Sequence, residues 1–573
     1  MTLTRSAEPV TAGDHAAASE QHLARHAALL ATVLLALLPF VQNGMIGNAD
    51  EGAVLAQSRL LERTGSWSMR ADVAVDPDGR WFALDLADRV GADWYPYAKH
   101  PLFVEVVSTI GTDRLWVLYG AMALGTVAAA VAAGLLARRI SPRYGPWALW
   151  CCGIASPLFF DSYWLIAHTL GAAAAGCAAV GACRFLIDRR PDGLALAVVG
   201  TAAAAMLRSE GVLFGVALSI GCVVLGVAGR RRFALGLALF ATTAGAYLGD
   251  SWWYRRIETG SDARPFHITD EQGWLLGRLE GAWNSLLRPA VIPSTGAGFS
   301  LLAALALVVG ACYLRFRPAE PRIARGVVWA AAGAAVARLA FLPSPVGGLL
   351  TAFPILVVGL LFLPRSVLAN PAALLCAVVA ALHSAAVLAT QYSAGGAGEW
   401  GGRFFHMVLP MLAALAVAGL DAMRRSVAPE SWRHAVRAGG VVTLALVVLA
   451  VQAHRGIREA PRRIVEATVS AASAASRTSA PGESTAVPVV MTWPAAGRFA
   501  WQEVLERPLF MVDETEDFPV IGSRLCDAGH GQVILAADAD HVGDLDHLTP
   551  YRLRSRQVVD GTGWVVATLT ATC

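Results

Sequence analysis

The stretch LWVLYGAMALGTVAAAVAAGLLARR, residues 115–139, decides how the rest of the chain is read. From Leu115 to Ala137 it runs 23 residues without a charge, then closes on Arg138 and Arg139. A hydrocarbon layer about 30 Å thick takes roughly 20 helical residues to cross, so this run is long enough to span it. The arginines at its end mark the side on which short loops retain positive charge.

Working outward, about thirteen such stretches lie between 27–45 and 436–452. Arginine clusters fall on alternate loops: Arg138, Arg139 and Arg143; Arg189 and Arg190; Arg230 to Arg232; Arg315, Arg317, Arg322 and Arg325; Arg424, Arg425, Arg433 and Arg437. Placing these loops in the cytoplasm puts the N-terminus inside and residues 453–573 outside, for a multi-pass protein of the cell membrane. The apolar run Leu29–Val41 has the length of a signal-peptide core, but no small-residue cleavage site follows it closely, so it reads as a retained first span. The expected fold is mainly α, a polytopic membrane protein, with a transmembrane domain over 1–452 and a small extracytoplasmic α/β domain over 453–573. In that tail Val487–Met491, Leu509–Val512 and Val533–Ala537 read as strands, with helical segments near 499–506 and 515–528.

Composition agrees. Of 573 residues 55% are hydrophobic and only 16% charged, too few to surface several water-soluble domains, which excludes a soluble enzyme. The net charge of +3 comes without a basic stripe, so nucleic acid is not an expected partner. Of 46 basic residues all but Lys99 are arginine, which makes that one lysine worth following. The large polar loops, 46–112 and 250–297, the short 391–403 and the tail share one side, so the work is expected at that face. Seven cysteines lie at or inside apolar runs (151, 152, 177, 183, 222, 312 and 376) and read as small buried hydrophobes. Cys526 and Cys573 share the outer compartment and are expected to form a disulfide.

The first large loop opens on Asn48-Ala49-Asp50-Glu51 and continues as an amphipathic helix that Gly65 stops, suited to lying in the membrane interface. Asp50 there has two readings: a helix cap, or an acid held where lipid-borne and aqueous substrates meet. Lys99 sits in Trp94-Tyr95-Pro96-Tyr97-Ala98-Lys99-His100-Pro101. It is either a snorkelling anchor or a compact ammonium on a phosphate, a role arginine does not copy.

An Asp-Glu pair opening such a helix, then an aromatic Lys/His-Pro box before the second span, resembles the GT-C superfamily of membrane glycosyltransferases. The nearest pattern is the branch of lipid A aminoarabinose transferases and protein O-mannosyltransferases, in its actinobacterial form. The resemblance implies a polyprenyl-phosphate sugar donor, Asp50 as catalytic base with Glu51 beside it, and Lys99 on the donor phosphate. His100 stands where a first Pro is common in the family. Arg208-Ser209-Glu210 interrupts an apolar run where family members often carry a basic residue. Glu399-Trp400-Gly401-Gly402-Arg403 is similar to a Trp-Gly-x-Arg box of actinobacterial members. Arg208 and Arg403 are thus further phosphate-binding candidates; Glu210, Glu399, Trp400 and His100 are candidates for substrate contact, as are His267 and Asp270 in the second loop. Each has a plainer reading as well: a mutual ion pair at 208 and 210, a Gly-rich turn at 401–402, an aromatic belt at 252–283. The Asp-rich segment 538–547 reads as a solvated loop. No metal ligand set is assigned, no cofactor is called for, and the need for a divalent ion stays open.

The expected activity is transfer, with inversion, of a sugar such as mannose or arabinofuranose from a polyprenyl-phosphate donor to a hydroxyl of a cell-envelope glycan, lipid or protein at the outer face. A transporter or flippase of a lipid-linked sugar is the alternative. It would place ionisable residues near the bilayer midplane, whereas Arg208, Glu210 and Arg338 gather toward outer ends.

Overall fold

The computed structural model describes residues 12–573, except 71, 85–87, 98–99, 226–228, 258–272, 318–320, 391–399, 479–485, 493–495, 513–516, 540–547 and 573. Helix α1 (Ala12–Val41) leads into α2 (Ala49–Thr64). Three short antiparallel strands, β1 (Met69–Arg70), β2 (Asp88–Val90) and β3 (Asp93–Tyr95), then α3 (Pro101–Ile110), complete the first loop. α4 (Leu115–Ile140) is the stretch quoted at the outset, and it forms one unbroken helix.

The next apolar stretch does not. It divides into α5 (Gly145–Trp150), a π-helical turn over 151–155 and α6 (Leu158–Asp161), parted at Pro157, whose missing N–H cannot continue a helical ladder. Then come α7 (His168–Leu186), α8 (Asp192–Leu207), α9 (Glu210–Val224), α10 (Arg230–Ile257), α11 (Trp274–Leu286), α12 (Ala297–Phe316) and α13 (Pro321–Arg338). The stretch 345–363 is divided too, into α14 (Leu349–Ala352) and α15 (Pro354–Leu361), with proline again at the break. α16 (Pro371–Thr390), a 3-10 segment over 403–408, α17 (Leu409–Ser426) and the long α18 (Pro429–Thr478) finish the bundle.

Among the described residues eight helices are long and apolar enough to cross a membrane, and 192–207 and 210–224 form shorter apolar helices. The chain is a multi-pass membrane protein. Ala and Gly dominate its interior because there is little hydrophobic drive between helices in lipid, and small residues let backbones meet. A methyl group at Gly181 of α7 would lie 2.5 Å from the Ala197 nitrogen of α8.

α18 continues past the apolar run and delivers the tail onto the loop face. There β4 (Val489–Met491), β5 (Leu509–Met511), β6 (Gln532–Asp538), β7 (Tyr551–Val559) and β8 (Trp564–Ala571) form a sheet of order β5-β4-β6-β8-β7, flanked by α19 (Ala496–Phe499) and α20 (Phe518–Asp527). β4 runs parallel to β5 and β6, while β8 is antiparallel to β6 and β7. β7 offers no sequence signal to forecast it: it is an edge strand, exposed along most of its length, and Arg552, Arg554 and Arg556 interrupt any apolar run.

The core of this sheet takes Val75 and Trp81 from the first loop, packed with Val490, Phe510 and Phe518. The Met511 N–H donates to the Trp81 carbonyl at 2.8 Å. First loop and tail are therefore one packed body. That corrects the expectation for α2: residues 51–58 are buried by protein on every side instead of facing the membrane interface. Cys526 in α20 is disulfide-bonded, the seven bundle cysteines are free, and Cys573 lies outside the described residues.

Candidate active site

The start of α2 is organised by Asn48, which caps the helix in extended conformation and accepts the Asp50 N–H at 2.9 Å. Glu51 completes the capping box, its Oε2 taking the Asn48 N–H at 2.9 Å and the Gly47 N–H at 2.5 Å. Its Oε1 takes the Leu165 N–H at 2.5 Å and the Tyr119 hydroxyl at 3.1 Å. Glu51 is fully buried, and burial pushes its carboxyl above the usual carboxylate range, opposed by the charge of Arg458 and by backbone N–H groups. This is an anchoring acid, holding the first loop to the segment between α6 and α7. Arg458 of α18 works with it from below. Its guanidinium donates to the carbonyls of Met45 at 3.1 Å and Tyr163 at 2.6 Å, tying both sides of the anchor to one helix.

With the cap supplied by Asn48 and the anchor by Glu51, Asp50 is left to face outward. Its side chain is 33% exposed, with Oδ1 3.2 Å from an Arg498 Nη1 and Oδ2 3.7 Å from an Arg403 Nη1. Arg498 belongs to α19 of the tail, which presses its backbone on α2 so closely that a Cβ at Gly52 would collide with the Arg498 carbonyl. Arg403 comes from the opposite side, on the Gly-rich turn before the 3-10 segment. Gly401 and Gly402 both hold positive φ (68° and 63°), which only glycine adopts cheaply, and their N–H groups donate to Val346 and Gly347 at 2.7 Å each. The turn is thus a designed carrier for Arg403.

The remaining sequence candidates divide. Arg208 and Glu210 form a two-pronged ion pair (3.1 and 2.8 Å) in the loop between α8 and α9, so the ion-pair reading describes this geometry. A Cβ at Gly171 of α7 would touch both Arg208 and Met407, so the pair lies beside the Arg403 segment. Trp400 is 3% exposed and stacks on Phe160, ring centroids 4.9 Å apart. His100 precedes α3 with φ 52°. Lys99, His267, Asp270 and Glu399 lie outside the described residues. The backbone N–H of nearby Tyr97 donates to Gln57 of α2 at 3.2 Å, which ties the entry to the lysine box to the Asp50 helix.

Sequence reading missed Arg498, Arg458 and Asn48. Asn48 was open to discovery, since Asn three residues before Glu at a helix start is a capping-box spacing. Nothing local distinguishes Arg498 from the other tail arginines.

This α-helical bundle, whose first loop carries an acid onto its loop face under a C-terminal domain, shares its fold with solved structures of ArnT and of an archaeal oligosaccharyltransferase. The solved structures it is similar to include ArnT from Cupriavidus metallidurans bound to undecaprenyl phosphate, with TM-score 0.50 and 14% identity over 95% of this chain and 97% of that one. They also include the Archaeoglobus fulgidus oligosaccharyltransferase in complex with Zn and sulfate, with TM-score 0.52 and 13% identity over 90% of this chain and 68% of that one. The same archaeal enzyme, AglB, in complex with an inhibitory peptide and a dolichol-phosphate gives TM-score 0.50 at 12% identity, over 91% of this chain and 69% of that one. No protein-family model matches the sequence, and no curated protein matches it.

Proposed function

We propose that the chain is an inverting glycosyltransferase that moves a sugar from a polyprenyl-phosphate donor to an acceptor hydroxyl on the outer side of the cell membrane. The observation that carries this reading is the Asp50 carboxylate held between Arg403 and Arg498 on a GT-C fold. Neighbours of that fold are solved with undecaprenyl phosphate and dolichol-phosphate, which supports a lipid phosphate as the donor's leaving group.

A half-exposed carboxylate flanked by two guanidiniums is a phosphate site in waiting. An incoming donor phosphate takes the two arginines bidentately, with Lys99 as a third cation. Asp50 is thereby released to accept the proton of the acceptor hydroxyl. The hydroxyl oxygen attacks the anomeric carbon as the bond from that carbon to the phosphate oxygen breaks, and the electron pair leaves with the phosphate. Fixed cations stabilise that growing charge. With Asp50 as the base and no second carboxylate facing it across the cleft among the described residues, the displacement is single and inverts the centre. Mannose, arabinofuranose or a similar sugar, and an acceptor in the cell envelope, fit such a site.

The test is sugar transfer from a polyprenyl-phosphate donor by purified protein. Asp50→Asn keeps the shape and leaves the Asn48 cap intact, so expression and melting should match the parent. Turnover should fall by roughly 10²–10⁴-fold, the usual worth of a general base. Lys99→Arg should also slow transfer, because a planar fork does not replace a compact ammonium close to a phosphate. A folded Asp50→Asn protein turning over at the parental rate refutes the assignment.

A further inference from the structure

The segment that receives Glu51 ends on a second polar cluster, outside the residues assigned above to glycosyl transfer. Asp161 closes α6, His168 opens α7, and His406 lies in the 3-10 segment three residues after Arg403; their exposures are 1%, 2% and 2%. One ligand atom from each lies within 4.8 Å of the other two. His406 Nδ1 is 2.5 Å from Asp161 Oδ2, and His168 Nδ1 is 3.9 Å from the same oxygen. Both Asp161 carboxylate oxygens are buried, and apart from these two imidazoles they meet no hydrogen-bond donor. Leaving a buried carboxylate so is costly, and something positive has to meet it.

We propose that Asp161, His168 and His406 bind a zinc ion that staples the loop under Glu51 to the segment carrying Arg403. Two imidazole nitrogens and one carboxylate oxygen are a zinc ligand set, with a fourth position left for water. At metal–ligand distances of about 2.0–2.1 Å, tetrahedral neighbours sit about 3.4 Å apart, so zinc enters as His406 parts from Asp161, now 2.5 Å away, and His168 closes from 3.9 Å. His406 has the supporting bond that metal-ligating histidines use: its Nε2 is 3.3 Å from the Gly401 carbonyl. A proton on Nε2 toward that carbonyl leaves Nδ1 to meet the Asp161 carboxylate, where a shared proton fits the 2.5 Å contact and zinc fits once the two atoms part. Zinc engages all three.

The consequence is positional. The 161–168 loop gives Glu51 its Leu165 N–H, and the 401–408 segment presents Arg403 to Asp50. A metal joining them sets the gap in which Asp50 and Arg403 meet, without touching the reacting atoms. Asp50 is not a ligand.

Full-length protein purified in detergent, loaded with zinc and freed of excess, is assayed for metal by mass spectrometry and for melting with and without a chelator. The expected result is about one zinc per chain, a chelator-sensitive melting temperature, and loss of both to about a tenth or less in the His168→Gln, His406→Gln double variant. Cobalt(II) loaded into the parent protein should show tetrahedral ligand-field bands, a readout that needs no variant to fold. Asp50→Asn should keep its zinc whether or not it transfers sugar, which separates this proposal from the one above. Parent protein that binds no zinc and no tetrahedral cobalt, or a folded double variant that keeps its zinc, overturns the staple; a protonated His406–Asp161 pair then accounts for the cluster.

Discussion

Asp50 and Glu51 are neighbours in sequence, yet the regions that receive them differ in kind. Glu51 enters a buried pocket lined by the N–H groups of Gly47 and Asn48 at its own helix start and, from the bundle, by the Leu165 N–H, the Tyr119 hydroxyl and the buried Arg458. Asp50 enters a cleft whose cations come from two separate elements, the 401–403 turn and the tail helix α19. One carboxylate is surrounded by fixed donors with no room for a ligand. The other is paired with side chains that a phosphate would attract more strongly. Position along α2 separates them by about 100° of helix rotation, and that rotation turns one into the anchor and leaves the other in the cleft, where the base role is proposed.

The contrast is open to attack from both sides. The cation side should show the larger effect: Arg403→Ala and Arg498→Ala should each lower transfer by roughly 10–10³-fold, since under the proposed mechanism each removes one stabiliser of the leaving charge. If Arg498 serves only to dock the tail, its variant will melt lower while the transfer rate per folded molecule holds, and the cleft loses a member. On the anchoring side, Glu51→Gln leaves at least one buried donor without its acceptor and should cost about 1–3 kcal/mol of stability, visible as a lower melting temperature. Equal losses of rate per folded molecule in Glu51→Gln and Asp50→Asn would erase the distinction between the two acids.

The smallest effect belongs to the rim. Glu506 of the tail meets Arg63 at 2.6 Å and Arg59 at 3.2 Å on α2, with 43% of its side chain exposed. Arg63, then Arg59, hold its carboxyl below the usual range. A depressed carboxyl contributes stability above its unfolded value near 4.3, and that contribution is lost as pH falls through the folded value. Solvent screening limits it to about 0.2–1 kcal/mol. Glu506→Gln should therefore lower melting slightly at neutral pH, and the difference from the parent should vanish in acid. A difference that persists in acid would mean that packing, not charge, docks the tail there.

Reading the chain alone reached the bundle because membrane spans are the least ambiguous of sequence signals. A run such as 115–137 has few other fates. It did not foresee where the bundle breaks, at 157 and 354, because a proline inside an apolar run is compatible with a kinked helix or two short ones, and packing chooses. It singled out Asp50 and Arg403 from different loops, 353 positions apart, through the resemblance of their motifs to those of a glycosyltransferase family. It did not see that Asn48 relieves Asp50 of capping, although that pattern is local and legible.

Arg498, Arg458 and the Asp161–His168–His406 cluster belong to another category. Each draws its meaning from partners hundreds of residues away or from elements that meet only after folding: Arg498 on Asp50, Arg458 on the carbonyls at 45 and 163, His406 on Asp161. Hydrophobic length and charge asymmetry are properties of a segment, so the amino-acid order alone determines that this chain crosses a membrane many times. A carboxylate's role depends on burial and on the charges within a few ångströms of it. Those distances come into being when α18 carries the tail back over the first loop, and only then do the two adjacent acids of α2 part ways.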